Sequence, residues 1–120
     1  MTAKKRILIC DDEEGIRESL KLILENDYDL VFSCSGKECL EKLERQKDIK
    51  LVLLDIKMPK QNGLEVTREI KRVRPDIKII IVTGYASPEI AQEAISVGAD
   101  DYIPKPFASK EILDKVSESL

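Results

Sequence analysis

In four places along this 120-residue chain an apolar run delivers a group that can do chemistry. Leu51-Val52-Leu53-Leu54 leads into Asp55, and a run ending at Cys10 leads into Asp11, Asp12, Glu13 and Glu14. Residues 78–83 (KIIIVT) deliver the hydroxyl of Thr83 next to Gly84, and a segment starting at Asp101 ends in Lys105-Pro106. Taken singly, each group has an ordinary role. Asp55 can make a turn, Asp12 can cap a helix while Asp11 faces water, Thr83 can close a strand and Lys105 can sit in solvent. Taken together they are three carboxylates, a hydroxyl and an ammonium, all at the carboxyl ends of strand-like runs, where parallel sheets collect ligands. Two carboxylates 4 Å apart near a protein surface repel by roughly 4 kcal/mol. Such a cluster either keeps protons or takes in a cation. Mg²⁺, with Mn²⁺ as its substitute, matches a ligand set of one or two carboxylates plus waters. The set suits transfer of a phosphoryl group to a carboxylate. Asp55 is the candidate nucleophile, and the cation, Thr83 and Lys105 surround the equatorial oxygens. The chain has no Gly-x-x-x-x-Gly-Lys loop to cradle a nucleotide, so the phosphoryl group is expected on another molecule.

These ends must be positioned by strands. Strands are expected from Arg6 (RILIC), Asp29 (DLVFS), Leu51 (LVLLD), Lys78 (KIIIVT) and Asp101 (DYIPK), with a helical pattern after each. The first helix carries Ile16, Leu20, Ile23 and Leu24 on one face. The second opens with a Ser35…Glu38 capping box and buries Cys39, Leu40 and Leu43. The third begins at Gly63, shows Val66, Ile70 and Val73, and stops before Arg74-Pro75. The fourth has Ser87 as cap, Pro88 at its first position, Ile90, Ala94 and Val97 inward, and Gly98 as terminator. The fifth follows Ser109 with Ile112, Leu113, Val116 and Leu120. Five strand–helix alternations predict an α/β domain, a doubly wound, flavodoxin-like parallel sheet of order 2-1-3-4-5 with five helices. Pro104 cannot donate to a ladder and belongs at an edge, whereas the strands near residues 6, 51 and 78 are uniformly apolar and belong in the middle. That order sets Asp11 and Asp12 beside Asp55.

Composition narrows the function classes. A net charge of −3, with Lys4-Lys5-Arg6 the longest basic run, argues against direct nucleic-acid binding. No apolar run is long enough for a bilayer or a signal-peptide core, so a cytoplasmic chain with no membrane role is expected. Cys10, Cys34 and Cys39 form an odd set without Cys-x-x-Cys; this fits a reducing compartment, and all three read as structural. The absence of histidine removes His metal sites, Ser-His catalysis and any role as a histidine phosphodonor.

Four segments carry a resemblance. ILICDDE, LLDIKMP followed by Gly63, IIIVTGY and GADDYIPKPF are similar, in order and spacing, to the motifs of the receiver domain of two-component response regulators. The likeness covers the chain from Arg6 to the last helix. It implies a phosphoacceptor signalling switch rather than an enzyme, in which Asp55 takes a phosphoryl group from a histidine kinase or a histidine phosphotransfer protein. Asp11 and Asp12 match the family's Mg²⁺-binding pair, and the resemblance adds Asp55 and the main-chain carbonyl of Lys57 as ligands. Thr83 matches the hydroxyl residue that moves to the phosphoryl group, Lys105 the lysine that pairs with it, and Tyr102 the aromatic that turns inward as Thr83 moves. The resemblance also implies a cis Lys105–Pro106 bond. The surface of helix four, strand five and helix five is then the expected contact for an output domain or target.

Two positions add an expectation of their own. Lys57 and Tyr85 stand two residues after Asp55 and Thr83, so their side chains should flank the site's mouth, screen an acyl phosphate from water and prolong it. Ile90, Ala91 and Ala94 on helix four are candidates for contact with a second copy, giving a homodimer, or with an output domain. A Mg²⁺-dependent phosphohydrolase with an aspartate nucleophile is the alternative. It calls for an acidic residue two positions after Asp55, where Lys57 stands, and for a cap segment. A phosphorylation-independent interaction module would lack Asp55, Thr83 or Lys105, and all are present. Residues 1–120 read as one receiver domain, stand-alone or the N-terminal receiver of a longer regulator. The ending at Leu120 inside a helical turn favours the second.

Overall fold

Unbroken runs of Ile, Leu and Val are tolerated only in strands covered on both faces. Three such runs form β1 (Arg6–Cys10), β3 (Ile49–Leu54) and β4 (Lys78–Thr83). More polar segments form β2 (Asp29–Ser33) and β5 (Asp101–Pro104). A computed structural model describes residues 4–58, 60–85 and 87–120, and joins these strands in one parallel sheet of order β2-β1-β3-β4-β5. The three apolar strands are central and the Pro104 strand is an edge, as their composition requires. Pro59, read from the sequence as part of the loop after Asp55, lies outside the described residues, as do residues 1–3 and Ala86.

Five helices alternate with the strands: α1 (Glu14–Leu24), α2 (Gly36–Arg45), α3 (Gly63–Val73), α4 (Pro88–Ser96) and α5 (Ser109–Ser119). Strand side chains alternate between two cores. Leu8, Cys10, Val52, Leu54, Ile79 and Ile81 meet Cys39, Val66, Ile70 and Ala94 of α2, α3 and α4. Ile7, Ile9, Leu53, Ile80 and Val82 meet Leu20, Leu24, Ile112 and Val116 of α1 and α5. Both faces are thereby covered, and the polar groups at the strands' carboxyl ends are left on one rim.

Local signals set most helix ends. Ser35 Oγ accepts the Glu38 N–H at 3.1 Å, and Glu38 Oε1 accepts the Cys34 N–H at 3.0 Å, one residue ahead of the usual capping-box partner. Ser87 Oγ accepts the Ile90 N–H at 3.2 Å, and Gly98 ends the segment after α4 with φ 115°. Three expectations need correction. Ser109 is the first residue of α5, whose N-cap is Ala108 and has no side-chain bond. Val73, the last residue of α3, is 53% exposed, and next to it the Arg74 guanidinium donates to the carbonyls of Leu43, Lys47 and Ile49. Cys34 is exposed while Cys10 and Cys39 are buried, since it lies in the turn past β2 rather than in the sheet.

Candidate functional site

The sheet's own ladder carries the site residues one step beyond the strands. The Asp11 N–H donates to Ser33 O at 3.1 Å, the Asp55 N–H to Cys10 O at 3.0 Å, and the Lys105 N–H to Thr83 O at 2.8 Å. Each backbone at the rim is thus held by its neighbouring strand, and the side chains leave from fixed points. Gly63 adds a second constraint under Asp55. Its N–H donates to Ile56 O at 2.7 Å, and a Cβ there would lie 2.3 Å from Asp55 O and 2.6 Å from Ile56 Cα. No larger residue fits while the backbone keeps this approach. The Lys105–Pro106 bond is cis.

These anchors gather the charges. Lys105 Nζ lies 2.9 Å from Asp11 Oδ2, 3.2 Å from Asp55 Oδ2 and 3.2 Å from Glu13 Oε1. The Asp11 and Asp55 side chains are 3% and 5% exposed, so these are pairs largely out of water. Asp11 therefore does not face solvent, and its Oδ1 accepts the Glu13 N–H at 2.9 Å. Asp12 does not cap α1, whose N-cap is Glu13 and makes no side-chain cap bond. Burial pushes the Asp11 carboxyl up against the pull of its Lys105 hydrogen bond. Burial also pulls the Lys105 ammonium down, but the bond and charge of Asp11 and the charge of Asp55 outweigh it, leaving the ammonium well above its ordinary range. Lys105 thus holds its proton firmly between the buried side chains of Asp11 and Asp55.

Thr83 is fully buried and its Oγ1 accepts the Tyr85 N–H at 3.1 Å. Lys57 and Tyr85 meet through a hydrogen bond from Lys57 Nζ to the Tyr85 hydroxyl. Both line a cavity of about 410 Å³ together with Asp12, Asp55, Gly84 and Lys105. Tyr102 stands apart from the charged cluster. It pairs with Ile81 in β4 and packs on the core under α4, on the same sheet face as Thr83. Of the α4 residues considered for contacts, Ala94 is fully buried, while Ile90 and Ala91 are partly exposed. Two residues at the site went unassigned in the sequence. Glu13 reaches Lys105, and Arg17 Nη1 holds Asp11 O at 2.8 Å. Glu13 stands two residues and Arg17 six residues after Asp11, and only the path of the chain into α1 aims them back at it.

Carboxylate oxygens of Asp11, Asp12, Glu13 and Asp55 all lie within 4.8 Å of one another. Oxygens on opposite sides of a Mg²⁺ ion stand about 4.2 Å apart, so the three aspartates of this set fit a small divalent cation, with the Glu13 carboxylate beside them on Lys105.

Comparison with known proteins agrees with this geometry. The family model for the response regulator receiver domain matches residues 7–117. The chain belongs to that family. Response regulator MprA of Mycobacterium leprae is 39% identical to this receiver domain over 112 residues, which are 92% of this chain and 49% of that protein. The receiver domain thus spans about half the length of the curated relatives it matches. A CheY-like receiver domain protein of Methanospirillum hungatei superposes with a TM-score of 0.91 at 40% identity, covering 97% of this chain and 93% of that one. Response regulator TrrA of Thermotoga maritima, solved in complex with Mg²⁺-BeF, gives 0.87 at 40% identity over 97% of this chain and 99% of that one. A receiver domain of a response regulator is a phosphorylation-based signalling switch, not a classical enzyme. Among the described residues, no helix of this receiver domain is long and apolar enough to cross a membrane.

Proposed function

We propose that Asp55 is the phosphoacceptor and that its donor is a phosphohistidine on a histidine kinase or histidine phosphotransfer protein. An Asp55 carboxylate oxygen attacks phosphorus. A P–O bond forms, the P–N bond breaks, and the imidazole nitrogen leaves with the electron pair and takes a proton. The observation that carries this reading is the Lys105 ammonium, held between the buried carboxylates of Asp11 and Asp55. It is a fixed positive charge beside the position where transferring oxygens gather. Asp11, Asp12, Asp55 and the main-chain carbonyl of Lys57 would hold Mg²⁺, or Mn²⁺ in its place. When bound, that ion neutralises charge shared by the carboxylates and the phosphoryl oxygens.

A phosphoryl group adds close to two negative charges and strong acceptors at Asp55. Thr83 turns its hydroxyl to them and gives up the Tyr85 N–H, which loosens the loop between β4 and α4. The Tyr102 ring moves into the space released on that face, and the surface of α4, β5 and α5 changes for an output domain or for a second copy contacting Ile90 and Ala91.

Incubation with phosphoramidate and Mg²⁺ should place one phosphoryl group per chain, read by intact mass, and Asp55→Asn should take none. Labelling that persists in Asp55→Asn, or multiple turnover of a phosphate ester, would overturn the reading. The joined Lys57 and Tyr85 side chains line the cavity beside Asp55, and on this reading they slow the approach of water to the acyl phosphate. The double variant Lys57→Ala/Tyr85→Ala should lose its label several-fold faster in a decay time course, and equal or slower decay would contradict screening.

A further inference from the structure

Lys105 has a third partner, and that partner differs in kind from the other two. An ammonium has three N–H donors, and here they reach Asp11, Asp55 and Glu13. The cation is saturated before any phosphoryl group arrives. To bond a phosphoryl oxygen it must release one carboxylate. Asp11 is the hardest to release, since its side chain is buried and its other oxygen is tied to the Glu13 N–H. Asp55 is the acceptor itself. Glu13 is 62% exposed, so its carboxylate can return to water at little desolvation cost.

Glu13 is also free to serve this purpose. It is the N-cap of α1 by backbone position, with φ −91° and ψ 115°, yet its side chain makes no cap bond. Its N–H is fixed by Asp11, which points the side chain over the rim to Lys105 rather than along the helix.

We propose that Glu13 is the displaceable counter-ion of Lys105, occupying the ammonium until a phosphoryl oxygen replaces it. Glu13 is a positioning residue. It holds Lys105 in place in the unphosphorylated chain and competes with the incoming anion for the same donor. The inference rests on Asp55 as the phosphoacceptor. Removing the charge lifts the competition without touching the nucleophile, so the donor should bind better while the transfer step keeps its rate. An exposed ion pair is worth about 0.2–1 kcal/mol, which corresponds to roughly a 1.4- to fivefold change.

The test follows Asp55 labelling by phosphoramidate at saturating Mg²⁺ in the unaltered chain, in Glu13→Gln and in Glu14→Gln. Glu14→Gln removes the same charge one residue along, on an exposed side chain with no Lys105 contact among the described residues. Glu13→Gln should lower the donor concentration for half-maximal rate about 1.4- to fivefold with the saturating rate unchanged, and Glu14→Gln should not. Mg²⁺ affinity by calorimetry should be the same in all three. An unchanged or raised half-saturation point in Glu13→Gln overturns the proposal. So does a severalfold loss of Mg²⁺ affinity, which would make Glu13 a metal ligand. A chain that takes no label at all overturns the phosphoacceptor reading and this one with it, whereas equal labelling with and without the Glu13 charge overturns this one alone.

Discussion

At the scale of single residues the site is a problem in electrostatics solved by one cation. Asp11 and Asp55 are buried side by side and would repel strongly without Lys105, which bonds both. Breaking a buried pair by removing one partner costs more than the pair contributes, because the remaining charges stay desolvated. Lys105→Met should therefore destabilise the metal-free fold by about 3 kcal/mol, the lower end for buried pairs, since these carboxylates line an open cavity. Urea denaturation in EDTA measures it, and a loss below 1 kcal/mol would mean that water already solvates the pair. The positions of Asp11, Asp55, Thr83 and Lys105 at one rim of the sheet were legible in the sequence, because each lies at or just past the end of a strand-like run. Glu13 was not. Its role depends on a side-chain direction set by the Asp11 turn and the entry into α1, and neither leaves a mark in residue type.

Elements were legible where a local rule and the tertiary contacts agree. Ser87, Pro88 and Gly98 bound α4 as their types require, and the strands from Arg6, Asp29 and Lys78 begin and end at the limits of their apolar or alternating runs. At α5 they disagree. Ser109 is the better cap by type, yet the helix starts at Ser109 with Ala108 as N-cap. Phe107 and Ile112 belong to the same core cluster and occupy the N′ and N4 positions of that start, so a hydrophobic staple outweighs the hydroxyl. The compromise leaves an uncapped helix end. Ala108 is exposed with φ −93° and ψ 149°, a conformation a capping serine adopts, and Glu111 already stands three residues on. Ala108→Ser completes a Ser-x-x-Glu box and should stabilise the fold by about 1 kcal/mol, a rise of roughly 4 °C in Tm. A thermal melt decides it, and an unchanged midpoint would show that solvent satisfies the free N–H groups equally well.

For the whole molecule, the site exists only when four strand ends meet. Lys105 and Asp11 are 94 residues apart in sequence and 2.9 Å apart in space, so a cation bound at the rim recognises the assembled sheet and not the unfolded chain. Binding at the carboxylate cluster must then stabilise the entire fold. At a Mg²⁺ concentration ten times the dissociation constant the gain is about 1.4 kcal/mol, enough to move Tm by several degrees. Asp12 isolates this linkage from the structural pairs. It is exposed, and no side-chain hydrogen bond or ion pair joins it to the described residues, whereas Asp11 and Asp55 hold Lys105. Asp12→Asn should leave the melt in EDTA within about 0.5 kcal/mol of the unaltered chain, as surface changes do. It should also remove most of the Mg²⁺-dependent rise, because one hard anionic ligand of the cluster is gone. Paired scanning-calorimetry melts with EDTA and with millimolar Mg²⁺ separate the two effects. An equal Mg²⁺ rise in Asp12→Asn would move the ion away from this rim, and a large loss in EDTA alone would give Asp12 a structural role that its exposure argues against.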